Sequence, residues 1–212
     1  MTPGKRLFDI LLAICLSVPV VPIIALVALV ILLTDGRPVF FVSERMRTPR
    51  HPFMLLKFRT MRVVERDAGV SGGDKAHRIT PVGHILRRLR VDELPQLWNV
   101  LCGDLSFVGP RPPLRRYVEM CPELYSEVLK QRPGITGLAT LVYHRTEERL
   151  LAVCRTAEET ENVYVRRCVP RKAELDLIYA RRRTMCLDLR LMAATLFRRF
   201  SPGRAACRQP SP

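Results

Sequence analysis

The sequence is short of acidic residues. Asp and Glu number 20 against 35 Lys and Arg, a formal charge of +15. Charge of that size speaks of anionic partners rather than of fold. Aromatic residues are only 7% and there is one Trp. That is a poor composition for a single-strand nucleic-acid binder, which needs stacking rings interleaved with its basic stripe. None of the seven cysteines forms a CxxC pair, and the four histidines make no HExxH or zinc-finger spacing. A structural zinc site and a small disulfide scaffold are thereby excluded, and free thiols are expected. No GxGxxG and no DxD pair occurs. What remains is an apolar content of 48% over 212 residues, enough for one folded domain with an anchor and too much for a disordered chain.

The anchor is residues 10–33, a run of 24 residues without a charge. A helix of that length can cross a hydrocarbon core. Lys5 and Arg6 precede it, and Arg37, Arg45, Arg47 and Arg50 follow it. Positive charge marks the cytoplasmic flank, and here both flanks carry it. Pro19 and Pro22 sit mid-run, where each removes a backbone donor and bends a helix. A re-entrant hairpin that dips into one leaflet and returns, broken at Pro19 and Pro22, accounts for both facts. A straight span is the alternative. A cleaved signal peptide fits poorly, because its apolar core is shorter and no small-residue site follows Leu33.

Beyond residue 36 the pattern is that of a soluble domain. Residues 39–42 and 54–58 read as short strands, and 65–78 as a polar, mobile loop. Thr80-Pro81 starts a helix as N-cap and first-turn proline. Asp92 and Glu93 precede Pro95, which fits only the first turn of a helix, so Asp92 is expected at an N-cap with Glu93 just inside. The helix dipole and the nearby arginines would favour both as ionised carboxylates. An ionised Asp can attack phosphorus, and an ionised neighbour can hold Mg²⁺ beside substrate phosphates. Taken alone, such a pair reads first as a capping Asp and an exposed Glu. Arg111 projects from between Pro110 and Pro112, whose fixed φ angles hold its guanidinium for bidentate phosphate binding.

Seven motifs stand in order: Lys5-Arg6-Leu7-Phe8-Asp9; the proline-broken apolar run; Pro38-Val39-Phe40-Phe41; Lys57-Phe58-Arg59-Thr60-Met61; Asp92-Glu93-Leu94-Pro95-Gln96-Leu97; Gly109-Pro110-Arg111-Pro112; and Pro133-Gly134-Ile135-Thr136-Gly137. In this the chain resembles the bacterial sugar transferases, the monotopic phosphoglycosyl transferases. The likeness covers residues 5–140 and, more weakly, 172–196, and its length is that of the small catalytic-core type. It implies transfer of a sugar 1-phosphate from a UDP-sugar to polyprenyl (undecaprenyl) phosphate with release of UMP, initiating a surface polysaccharide or glycoconjugate. It implies Asp92 as the nucleophile of a covalent phosphosugar intermediate and Glu93 as a ligand of the cofactor Mg²⁺. Arg111, Arg88, Lys57 and Arg59 become the substrate-phosphate residues. The implied location is the bacterial inner membrane with the site on its cytoplasmic face. The implied partners are UDP-sugar, polyprenyl phosphate and an anionic bilayer, not nucleic acid.

The sequence departs from many relatives at three places. Val21-Pro22 stands at the hairpin break in place of Ser-Pro, with Ser17 the nearest hydroxyl. Arg90-Val91 replaces Ser-Leu before the carboxylates, and Thr140 replaces a Gln. The expected class is α+β and predominantly helical: residues 1–36 the re-entrant hairpin, 37–200 a cytoplasmic-face catalytic domain with amphipathic interfacial helices, 201–212 a disordered tail. Residues 141–171 read as a solvated helical face without chemistry, on which a second copy could pack as a homodimer. Residues 185–199, with leucines among arginines, read either as a helix on the membrane surface or as one packed on the core. Two other functions fit parts of the pattern. One is a metal-dependent glycosyltransferase, the other a non-enzymatic basic membrane-anchored binding protein.

Overall fold

The computed structural model describes residues 1–64 and 73–196, so the expected tail and most of the expected polar loop lie outside the described residues. Residues 73–78, at that loop's end, form a 3₁₀ helix. The class is α+β and predominantly helical, as expected. Helix α1 (Pro3–Thr34) is capped by Thr2, whose hydroxyl accepts from the Lys5 amide. It is long and apolar enough to cross a membrane, and only 6% of its most apolar stretch is buried. Helical assignment runs through Pro19 and Pro22. Ser17 Oγ donates to the Ala13 carbonyl at 2.7 Å. It therefore does not serve the Cys15 and Val18 carbonyls, which lose their i+4 donors to the two prolines.

Both ends of α1 are fastened to the same body. Near its start, Arg6 donates to the carbonyls of Val100 (2.6 Å) and Leu101 (2.9 Å), at the C-terminal end of helix α3 (Gln96–Cys102). Those carbonyls form the negative end of the helix dipole, where the Gly103 amide also caps Val100, so a guanidinium suits them. Near the end of α1, Ile31 is fully buried against Phe58 and Leu86. The antiparallel hairpin of β1 (Phe40–Met46) and β2 (Pro52–Phe58) follows. Arg59, just past β2, donates to the carbonyls of Asp35, Gly36 and Arg37 and clamps the exit of α1.

The carboxylate pair comes next. Helix α2 (Pro81–Leu89) is capped by Thr80, as expected, with a 2.9 Å bond from the Gly83 amide. Asp92 and Glu93 then lie in a one-turn 3₁₀ helix, Val91–Glu93, and Pro95 is the residue flanking α3. This corrects the expected N-cap placement: Arg90 flanks the turn in the left-handed conformation, φ 59°. Asn99 of α3 ties the turn's far side to β2, accepting from the Leu56 amide (3.1 Å) and donating to the Met54 carbonyl (2.8 Å).

Two three-residue strands, β3 (Ser106–Val108) and β4 (Gly134–Thr136), pair in parallel beneath the site. Gly109 and Gly134 allow this, since a Cβ on either would collide with the facing backbone. Gly109→Ala should therefore cost about 1–3 kcal/mol through overpacking, read as a lower Tm, and should reduce activity by displacing Arg111.

Helices α4 (Arg115–Met120) and α5 (Pro122–Val128) lie between these strands in the chain. Helices α6 (Leu138–Ala152), α7 (Ala157–Val163) and α8 (Val169–Arg182) follow, with a π turn at Tyr164–Cys168. The expected solvated face is corrected here. Leu151, Tyr164 and Cys168 join the core around Tyr117 and Tyr125. Glu147 receives the buried Lys172 ammonium at 2.9 and 3.1 Å, and Glu161 pairs with Arg116. Helix α9 (Met185–Leu196) packs on the core through Asp188, Leu191 and Ala194 and leaves Met185 and Leu189 exposed. Of its two expected readings, core packing holds for that face. Cys15, Cys102, Cys121, Cys168 and Cys186 are free thiols, as expected.

Candidate active site

Glu93 is the centre of the charged cluster. Its Oε1 lies 3.5 Å from Lys57 Nζ and 3.6 Å from an Arg111 nitrogen, and its Oε2 lies 3.3 Å from an Arg90 nitrogen. Three elements supply these cations: Lys57 from the end of β2, Arg90 from the strained turn, and Arg111 from the proline-framed loop after β3. The left-handed backbone at Arg90 lets α2 end and its side chain turn back on Glu93 three residues later.

The electrostatics separate the two carboxylates. Burial would raise Glu93, but Lys57, Arg111 and Arg90 outweigh it and hold the carboxyl at about 2. Asp92 moves the other way. Burial raises it first and the neighbouring Glu93 charge second, with Lys57, Arg87 and Arg111 only partly offsetting them. The expectation that dipole and arginines would favour both ionised forms is thus corrected for Asp92. Lys57 is held down to about 8, by burial first and Arg111 second, with Glu93 and Asp92 opposing. Arg111 is raised, because Glu93 and Glu147 outweigh its burial.

Of the residues expected from sequence, Asp92, Glu93, Lys57 and Arg111 come together. Arg59 does not join them: it is buried and spends its guanidinium on the carbonyls of residues 35–37. Arg88 is exposed on α2. Its neighbour Arg87 faces the site instead, donating to Thr60 Oγ1 at 2.9 Å and acting on Asp92. The helical spacing alone did not carry this signal. Val82 and Leu86 form the inward edge of α2, while Ile85 and Leu89 are exposed. A small cleft opens beside Glu93, lined by Arg45, Lys57, Gln96, Arg111 and Gly134. Arg45 and Gln96 were not expected there.

A cationic cleft at Glu93, with Asp92 its neighbour of opposite titration, on a body fastened to both ends of an exposed apolar helix, is suited to anionic substrates at a membrane surface. The chain belongs to the bacterial sugar transferase family, whose model matches residues 2–202. It is 38% identical over 192 residues to the sugar transferase EpsL of Bacillus subtilis (strain 168), a match covering 91% of this chain and 85% of that protein. It is 35% identical over 200 residues to the UDP-glucose:undecaprenyl-phosphate glucose-1-phosphate transferase of Klebsiella pneumoniae, covering 92% of this chain but 40% of that enzyme. An enzyme of the same name from Caulobacter vibrioides is 41% identical over 140 residues, 64% of this chain and 52% of that one. The chain thus spans about half or less of the length of these two named transferases.

Proposed function

We propose that this chain transfers a sugar 1-phosphate from a UDP-sugar to polyprenyl phosphate, releasing UMP and starting a surface polysaccharide or glycoconjugate. The observation that carries this is the pairing of a half-buried Asp92 with a Glu93 that three cations keep ionised, beside a cleft lined by Arg45, Lys57 and Arg111. The names of the relatives support the same reading.

In this mechanism ionised Asp92 attacks the phosphorus that bears the sugar. The P–O bond to the nucleotide phosphate breaks, and UMP leaves with its electron pair. An oxygen of polyprenyl phosphate then attacks the aspartyl phosphosugar at phosphorus, and the Asp92 carboxylate departs. Burial leaves Asp92 weakly solvated, which favours attack once it is ionised. Lys57, Arg87 and Arg111 supply the positive field for charge on the transferring phosphoryl oxygens.

Among the described residues no three His, Cys, Asp or Glu side chains converge as a metal site. Mg²⁺ asks for less, since one or two carboxylates with substrate phosphates suffice, and the Asp92–Glu93 pair fits that demand. Glu93 would hold the ion, which when bound neutralises the diphosphate. We place the chain in the inner membrane with its site on the cytoplasmic face, α1 being a re-entrant hairpin. The two fastenings of α1 support this. Arg6 and Ile31 would stand about 38 Å apart on a straight helix. Yet their contacts, Val100 and Phe58, are linked through the single Asn99–Leu56 bond.

The test is UMP release from a panel of UDP-sugars by detergent-solubilised protein, with Mg²⁺ and undecaprenyl phosphate. Release that depends on the lipid phosphate is the expected result. Binding of UDP-sugar without turnover of any donor would instead favour a non-enzymatic binder. The titration of Lys57 adds a prediction. Its positive charge is present below about 8 and is lost as the pH rises through that value. The kcat/KM for the UDP-sugar should therefore fall on an alkaline limb near 8, and Lys57→Arg should move that limb upward.

A further inference from the structure

The cations on Glu93 account for only part of the cleft. Arg45, from the last turn of β1 toward its hairpin, lines the same cleft beside Lys57 and Arg111. Its bonds are long: 3.4 Å to Ser43 Oγ and 3.4 Å to the Pro112 carbonyl. No carboxylate among the described residues pairs with it, and the strongest charge acting on it is the like charge of Arg111. A half-buried guanidinium in that position is costly unless an anion completes it. Gln96 lines the same cleft; it is only 3% exposed, and its Nε2 is buried with no hydrogen-bond partner. Buried donors in native proteins are almost always satisfied, so an orphan amide on a residue that lines a cleft points to what the cleft receives.

We propose that Arg45 and Gln96 extend the substrate-phosphate site of Lys57 and Arg111, so that the two phosphates of a diphosphate are gripped by the four residues together. The proposal rests on the phosphosugar-transferase reading and adds to it the two residues that would complete the grip on a diphosphate. Asp92 would then meet a diphosphate held at both phosphates rather than a single anion, which fixes the line of attack. The acceptor's lone phosphate needs fewer of these groups. Arg45 and Gln96 therefore belong to the donor, and their loss should raise KM for the nucleotide sugar far more than KM for the lipid phosphate.

The experiment is calorimetric titration of the full chain in detergent with inorganic pyrophosphate, with UDP and with inorganic phosphate. Three variants accompany it: Arg45→Gln, Arg45→Lys and Gln96→Met. Pyrophosphate and UDP affinity should fall about tenfold or more in Arg45→Gln, as for loss of a charge-assisted bond. The fall should be smaller in Arg45→Lys and several-fold in Gln96→Met, while phosphate binding changes little in all three. Gln96→Met should keep or raise Tm, because it removes an unsatisfied buried donor. A merely structural Gln96 would leave pyrophosphate affinity unmoved. Wild-type affinity for pyrophosphate in Arg45→Gln overturns the proposal and leaves the proposed reaction standing. Failure of the wild-type chain to bind pyrophosphate or UDP overturns both.

Discussion

Asp92→Asn should abolish sugar-phosphate transfer, with a fall in UMP release on the order of 10³-fold or more, as for removal of a covalent nucleophile. The amide is nearly the same size, so the turn at Val91–Glu93 and the ion pairs of Glu93 should survive. Removing an acid whose titration is already raised by burial also costs the fold little. Incubation with UDP-sugar and no lipid acceptor gives the sharper readout. Intact mass should rise by one sugar phosphate in the wild type and stay unchanged in Asp92→Asn. Glu93→Gln should behave differently. It leaves Lys57, Arg90 and Arg111 without their shared partner, so it should weaken the site yet still allow slow adduct formation. The pH profile adds a sign. Activity should be lost as pH falls through the Asp92 titration, above the range of an ordinary aspartate. Turnover by Asp92→Asn at the wild-type rate would end the nucleophile assignment.

Asp188→Ala is expected to be the most destabilising single change away from the site. Asp188 is 1% exposed and accepts from Lys5 Nζ at 2.7 Å and from Tyr179 Oη at 2.6 Å. It joins α1 to α8 and α9. Removing it strands a buried ammonium, a loss of about 3–5 kcal/mol. For a domain of this size that lowers Tm by roughly 10 °C, measurable by thermal unfolding in detergent. Part of the loss should be recovered by adding Lys5→Met, which takes away the orphaned charge. If the double variant were no more stable than Asp188→Ala, the cost would lie in packing and not in the stranded charge.

The legible parts of this protein are those written in adjacent residues. Thr80-Pro81 announces α2, the Asp92–Glu93 pair announces the site, and Arg111 between two prolines announces a fixed cation. Those signals are local, and the structure keeps them. The rest is tertiary. Arg59 looks like a phosphate ligand because it stands two residues from Lys57, a spacing that would share one face of a strand; yet β2 ends at Phe58, and the carbonyls of residues 35–37 claim Arg59. Arg87 and Arg88 differ by 100° on one helix, and only the burial of Leu86 decides which faces Asp92. Arg45 and Gln96 reach the cleft from separate elements; Gln96 stands within the motif Asp92 to Leu97, but nothing beside Arg45 in the sequence marks it. The two directions of titration at Asp92 and Glu93 were out of reach for the same reason. Identical chemistry at neighbouring positions is split by which carboxylate three distant cations touch.

The double fastening of α1 makes the membrane segment a structural member and not a leash. Ala13 and Ile31 are buried in two separate parts of the core, and Arg59 grips the chain at the point where a linker would otherwise give slack. The cleft at Glu93 therefore has no freedom to tilt independently of the helix. With α1 in a bilayer, as proposed, its height above the lipid would be set once, at folding, by the same contacts that hold the domain together. Cutting the chain after residue 36 would open two holes in the core, so such a fragment should not fold into a water-soluble form of the enzyme.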